Sequence, residues 1–422
     1  MTNLTPISSA AVFLLSFVLN TTLVVYRMRG GSRVQRIVDR VRNWITGRDD
    51  WQWIRLWHVM VPLVVITLVN VAWQVSNVHC ADDSLAILAS GQAALSGHDP
   101  FSVGFCGGLS PDAIPYGLSE VAINALAATS GAVVAIWIAW QLLALAVVPL
   151  VWNIGGAERR YLAVLAGTSV LYLPNIATNI GVENAVVPVS VLLMLWALTL
   201  RNRRGTWLKG LAAFLSTARF PALFPLLASS SPLKKGRVQQ TALVLGVFLG
   251  SVILSYLLWG WDAVGIVYLG QFVRVPGESL NLFALLLVQG WVHPSIVVSA
   301  IQGGILLSLV IVANYRGYSA EASCGVSLIG VFLLSQYLGY HFLIWILPLI
   351  LLGSVVNLWL LAFGALAFVD EVFFLSFLGA AEGIWWPYEV TGILLTLILI
   401  YLLAIIIREQ ESRARSTRRV RA

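Results

Sequence analysis

Charge is what this sequence lacks. Of its 422 residues only 11% are Asp, Glu, Lys or Arg, against 59% hydrophobic, and the mean hydropathy is +0.86. A water-soluble domain of this size must clothe its surface in polar side chains, so the balance excludes one and leaves a polytopic, all-α membrane protein. Cysteine is scarce too: Cys80, Cys106 and Cys324 are too few for a disulfide scaffold and lack metal-ligand spacing, so no metal is expected. No Walker or Rossmann glycine loop occurs, and no cofactor is expected. Low-complexity linkers and internal repeats are also missing, which argues against the inverted-repeat architecture of many secondary transporters. The net charge of +7 is no sign of a nucleic-acid partner, because the basic residues sit in short clusters between apolar runs.

What is present is one apolar run after another. A crossing needs about 20 residues, and stretches of that kind lie near 9–26, 56–78, 129–152, 160–177, 184–200, 240–260, 292–313, 322–339, 341–356, 357–378 and 389–407, about eleven in all. The first is not a cleaved signal peptide in this reading, since no basic residue precedes it and a strongly basic stretch follows. Basic clusters orient the chain: Arg27 to Arg55, Arg159 and Arg160, Arg201 to Lys209, Lys234 to Arg237, Arg316, and Arg408 to Arg421 are expected on the cytoplasmic side. Tryptophans near the ends of runs, such as Trp57, Trp207 and Trp386, suit interfacial belts in contact with membrane lipids.

One stretch breaks the count. "KGLAAFLSTARFPALFPLLASSSPLKKGR" (209–237) is apolar but basic at both ends, and Pro221 and Pro225 each remove an amide donor. It reads as a short helical hairpin entering and leaving on the cytoplasmic side, central to the bundle because irregular backbone survives in lipid only when surrounded by protein or water. Two segments then remain on the outer side, 79–128 and 261–291.

The first outer segment contains "ADDSLAILASGQAALSGHDPF", with Leu85, Leu88, Gln92 and Leu95 at helical spacing, Gly97 placed to end the helix and Pro100 opposing its restart. An interfacial helix follows, opening at Asp82 and Asp83. Either aspartate can cap it and complement its dipole. Alternatively, one is a general base at the membrane surface, its pKa raised by partial burial. Composition alone does not choose.

These residues resemble a known family. Asp83, Gly91 eight positions on, Leu95-Ser96-Gly97 and Asp99-Pro100-Phe101 are similar to the first outer loop of the GT-C superfamily of polyprenyl-phosphate-sugar glycosyltransferases, especially its prokaryotic mannosyltransferase branch. Three further stretches agree in order. "NIGVENAVVPVS" resembles the family's Gly-Gln-x-Asn run, with Val182 where glutamine is usual. "GLAAFLSTARFPALFPLL" resembles its Gly-rich helix ending in Lys-Pro-x-Pro, with Arg219 in the lysine's place, and "LLSQYLGYHFLIWILPLIL" resembles its His-containing segment, with His341 matching a family histidine. The resemblance covers residues 55–350 and departs at an extra N-terminal span and at "IPYGLSE", which lacks the family's prolines.

It implies a single integral-membrane domain. Residues 1–54 form an added span and basic loop, 55–350 the catalytic core, 351–407 the last spans, and 408–422 a basic cytoplasmic tail. The implied reaction moves a sugar, mannose by resemblance, from a polyprenyl-phosphate donor to a lipid-linked or cell-envelope glycan acceptor at the extracytoplasmic face of the cell membrane, with inversion. Such a transfer needs a base on the acceptor hydroxyl and positive charge on the departing phosphate. Asp83 is the expected base, and His341 at the outer start of a span would hydrogen-bond it or the phosphate, with Tyr340 beside it. Residues 79–128 hold no Lys or Arg and 261–291 hold only Arg274, so Arg274 is one phosphate ligand, unless it pairs with Glu278 or lipid headgroups. Arg219 in the hairpin is the other, unless it snorkels to the cytoplasmic face.

Glu183 and Asn184 at an outer turn would hold sugar hydroxyls or simply start a helix. Cys80 and Cys106 bracket the outer loop, and a disulfide between them would contribute about 3 kcal/mol on the chain-entropy view. Asp370 and Glu371 fall inside an apolar run, as a functional pair or a short loop. The rival is a secondary transporter or lipid flippase, which needs ionisable residues near mid-membrane on broken helices.

Substitution separates the two aspartates. Asp82→Asn should retain fold and much activity, because Asn caps about as well as Asp. Asp83→Asn should stay folded but lose about 10²- to 10⁴-fold in sugar transfer. Transfer by each purified variant, with thermal unfolding as folding control, decides; full turnover by Asp83→Asn removes it as the base.

Overall fold

The computed structural model describes residues 5–28, 54–75, 83–101, 117–172, 185–200, 203–230, 238–265, 281–283, 286, 290, 292–293, 295–335, 340–377 and 386–421. Among them it is all-helical, with no strand. The α-helices are α1 (Thr5–Met28), α2 (Leu56–Val75), α3 (Asp83–Leu95), α4 (Leu118–Ala128), α5 (Val133–Leu145), α6 (Val147–Ile154), α7 (Arg159–Tyr172), α8 (Val186–Thr199), α9 (Arg203–Leu215), α10 (Leu223–Ser230), α11 (Val238–Val264), α12 (Ile296–Tyr315), α13 (Ala320–Leu334), α14 (Ser354–Phe377) and α15 (Trp386–Arg421). A long 3₁₀ helix, Tyr340–Leu352, joins α13 to α14. Each expected apolar stretch therefore holds a helix. Among the described residues, four rods are long and apolar enough to cross a membrane by length and composition: Val134–Ile154, Val238–Trp261, Val297–Tyr315 and Val390–Arg413.

One end of the bundle gathers basic residues. Arg27 at the end of α1 bonds Glu158, Arg160 Nε donates to the Ile54 carbonyl at 3.2 Å, and Arg316 lies 3.5 Å from Glu411. The Arg159 guanidinium sits 5.3 Å over the Trp152 ring, and Gln410 accepts from the Ser319 amide. Elements far apart in sequence thus end at a common level, as one-sided basic clusters require. Between the ends, side-chain polar groups bind helix to helix. Asn20 of α1, fully buried, donates to Ser169 of α7 at 3.3 Å and accepts from Thr168, which docks the added N-terminal helix on the core.

Local chemistry explains the ends of α3. It opens at Asp83 and closes at Gly97, whose φ of +75° suits glycine. His98 N–H bonds the Ala93 carbonyl and Gly97 N–H the Ala94 carbonyl, the paired pattern of a Schellman cap. Asp99 then accepts from the Phe101 amide at 2.9 Å, turning the chain so that Phe101 packs edge-on against Trp259 near the far end of α11.

The hairpin takes the expected central position but breaks elsewhere than the prolines suggested. Pro221 opens a 3₁₀ turn and Pro225 lies in the first turn of α10, places where a helix amide has no intrahelical partner and proline does no harm. The break is Arg219, in extended conformation (φ −136°, ψ 113°) between the 3₁₀ turns Ser216–Ala218 and Phe220–Ala222. Phe220 packs on Phe248, and Ser230 at the end of α10 lies 3.1 Å from Thr241. So α10 runs back toward the start of α11, and the hairpin tip stands about 15 Å along that helix, near its middle.

Residues 118–128, expected in an outer loop, instead form a helix largely buried within the bundle. α4 starts against the hairpin tip: Gly117 N–H donates to the Ala218 carbonyl at 2.9 Å, and Ser119 bonds Thr217 Oγ1 and the Leu215 carbonyl. From there α4 leads through the turn at 129–132 into the Val134–Ile154 rod, which returns to the basic end. α4 is a half-length helix whose first turn meets the hairpin inside the bundle.

That meeting depends on a missing side chain. A Cβ on Gly117 would fall 1.6 Å from the Thr217 carbonyl oxygen, whereas one on Gly210 of α9 would meet nothing within 4 Å. Gly117→Ala should therefore lower stability by about 1–3 kcal/mol through overpacking, with Gly210→Ala neutral or slightly stabilising, as thermal unfolding in detergent would show.

Candidate functional site

Where α4 meets the hairpin, two opposite charges are buried together. Glu120 is 0% and Arg219 6% exposed, with Arg219 Nε 3.6 Å from Glu120 Oε2. An arginine in an apolar interior is unfavourable by several kcal/mol unless paired or hydrated. The carboxylate supplies that pairing, and Arg219 does not snorkel to the basic end. Backbone geometry fixes both: Arg219 is the extended residue of the tip, and Glu120 belongs to the first turn of α4. The N-termini of α4 and α10 both open at this level, adding positive dipole ends around the guanidinium.

One turn further along α4, Asn124 is fully buried and its Oδ1 accepts from Trp140 Nε1 at 3.1 Å. Asn124 Nδ2, Trp137 Nε1 and both amide atoms of Gln141 have no hydrogen-bond partner among the described residues. Trp137, Trp140 and Gln141 lie on one buried stripe of α5. The interior beside the ion pair is thus aromatic and carries amide groups, a chemistry suited to hydroxyls. α3 covers it from outside, packed so closely that a Cβ on Gly91 would sit 2.5 Å from the Asn124 carbonyl oxygen.

The residues singled out in the sequence fall unevenly on this frame. Arg219 is in the site. Asp83 is the first residue of α3, and Tyr340 and His341 open the long 3₁₀ helix; their side chains lie outside what the structure describes. Asp82, Glu183, Asn184, Arg274 with its alternative partner Glu278, and Cys80 with Cys106 lie outside the described residues. α14 runs unbroken past Asp370 and Glu371, so the short loop allowed for there is not formed. Among the described residues no three His, Cys, Asp or Glu side chains gather as a metal site.

Glu120 was missed in the sequence because it stood in a stretch read as outer loop. Its signal was present: in "GLSEVAINALAA" an acid and Asn124 stand four apart in an otherwise apolar helical run.

No family model matches the chain, and neither a curated protein nor a solved structure is detectably similar to it.

Removing one charge of a buried pair takes the opposite charge away from the other. Arg219→Met or Glu120→Leu alone should each cost about 3–5 kcal/mol, whereas the double variant should recover most of the loss. A double-mutant cycle on unfolding midpoints tests this; additive losses would mean the two charges do not act together.

Proposed function

We propose that the chain is an integral-membrane glycosyltransferase of GT-C architecture with about eleven crossings, its N-terminus outside and its basic end cytoplasmic. It transfers a sugar, mannose by resemblance, from a polyprenyl phosphate to a lipid-linked or envelope glycan acceptor at the outer face. One observation carries the reading: α3, which begins at Asp83, and the Arg219 hairpin, both from stretches that resemble the family's motifs, pack on the same helix α4, α3 at Asn124 and the hairpin at Ser119, although Ser119 and Thr217 are 98 residues apart.

In this mechanism the acceptor hydroxyl oxygen attacks the anomeric carbon as its proton passes to Asp83. The bond from that carbon to the phosphate oxygen breaks, and the polyprenyl monophosphate leaves with the electron pair. Arg219 and Arg274 stabilise the charge that grows on the phosphate, His341 and Tyr340 orient the base or the phosphate, and Glu183 and Asn184 hold sugar hydroxyls, with Asp82 capping the helix.

A second reading, a transporter or lipid flippase, draws support from the buried Arg219–Glu120 pair at the middle of the bundle between broken helices. Proteoliposomes given radiolabelled polyprenyl-phosphate sugars and extracted lipids separate the two. Labelled acceptor is the expected product. Labelled donor that crosses the bilayer unchanged, with no product, would replace the transferase with the transporter.

A further inference from the structure

The basic end of the bundle holds a cavity of about 310 Å³, a size that suits a small molecule. Ile154, Leu162, Leu351, Leu352 and Ile406 give it an aliphatic wall, of which Leu162 and Ile406 are buried. Its polar lining is Glu158, Glu321 and Glu409, with Ser319, Gln410 and Arg413. Among the described residues four glutamates stand at this end, and ion pairing divides them. Arg27 holds Glu158 and Arg316 holds Glu411, whereas Glu321 and Glu409 have no ion-pair partner among the described residues. Both of these line the cavity. Glu321 lies in the first turn of α13, where it complements the helix dipole. Glu409 stands well inside α15 and has no such reason to be there.

Gln410 adds a second, independent sign of a ligand. Its side chain is only 9% exposed, its Oε1 accepts from the Ser319 amide at 3.2 Å, and its Nε2 donates to nothing among the described residues. A buried donor is thus left to the cavity. We propose that this cavity binds a small aliphatic amine that also carries a carbonyl or hydroxyl oxygen. The ammonium is held by the carboxylates of Glu321 and Glu409, the methylenes lie on the aliphatic wall, and the oxygen accepts from Gln410 Nε2. Other classes fit less well. A metal ion would leave the wall unused, and among the described residues no three His, Cys, Asp or Glu gather for one. An aromatic cation would find no ring to stack on, and an anion would meet three carboxylates. The site lies at the end of the bundle where the basic residues gather and does not depend on the transferase reading.

α6, α7, α13, α15 and the long 3₁₀ helix all contribute to the lining, so a ligand here ties five elements together and should stabilise the folded protein in proportion to its occupancy. The probe is ε-aminocaproamide, which has an ammonium, a methylene chain and an amide oxygen, titrated against the full-length protein in detergent by calorimetry and by thermal unfolding. Saturable binding with a rising unfolding midpoint is the expected result. Hexylamine, without the oxygen, should bind severalfold more weakly, and caproamide, without the charge, should not bind. Glu321→Gln and Glu409→Gln, each at a half-buried position where the fold tolerates the change, should each weaken binding about tenfold. Glu411→Gln, at the same end but outside the cavity, should leave the affinity as it is. Absence of saturable binding by the probe, equal binding of caproamide, or unchanged affinity in the double Glu321→Gln, Glu409→Gln variant would each overturn the proposal.

Discussion

Two charges that cannot stay in an apolar interior alone govern the centre of this molecule. Arg219 and Glu120 come from segments about a hundred residues apart, and each makes the burial of the other tolerable. Their contact requires the start of α4 and the hairpin tip to approach at backbone distance, which Gly117 permits and the Gly117–Ala218 hydrogen bond records. The rest of the arrangement follows. With its first turn anchored, α4 aligns Asn124 with Trp140, α3 lies across it at Gly91, and the small residues Ala212, Ala213, Ala218 and Ala222 let the stretch from Ala212 to Ser230 pass, mostly buried, between neighbouring helices.

The helices themselves were readable, because an apolar run with basic punctuation leaves the chain few choices. The closure of α3 at Gly97 and the central hairpin were equally legible, since each rests on local chemistry: a positive-φ position in one, donor loss and flanking basic charge in the other. What escaped were features decided by distant partners. Nothing near Glu120 announces that its counter-charge lies in the hairpin, so α4 was read as part of a surface loop. Pro221 and Pro225 pointed to the right segment but the wrong residue, because proline is harmless in a first turn and the chain bends at Arg219 instead. Of the candidate site, Arg219 was found by its cost in lipid, while Glu120, Asn124 and Gln141 were masked by apolar neighbours.

Amides recur as connectors in this structure. Asn20 joins α1 to α7, Asn124 joins α4 to α5, and Asn281 donates from the segment after α11 to the Phe332 and Ser335 carbonyls at the end of α13. Where the surroundings are as apolar as the helices, burial gives no preference for one neighbour over another. Short-range donors and acceptors then decide which helices touch, and a neutral amide offers both without the desolvation penalty of a charge.

The last helix does not stop where its apolar residues do. Ile406 is buried, Gln410 is held at Ser319 and Glu411 at Arg316, yet α15 continues as helix to Arg421. At helical rise, Arg408 to Arg421 spans about 20 Å. The basic terminal segment thus leaves the bundle as a direct continuation of α15, anchored at its base where Gln410 meets Ser319 and Glu411 meets Arg316.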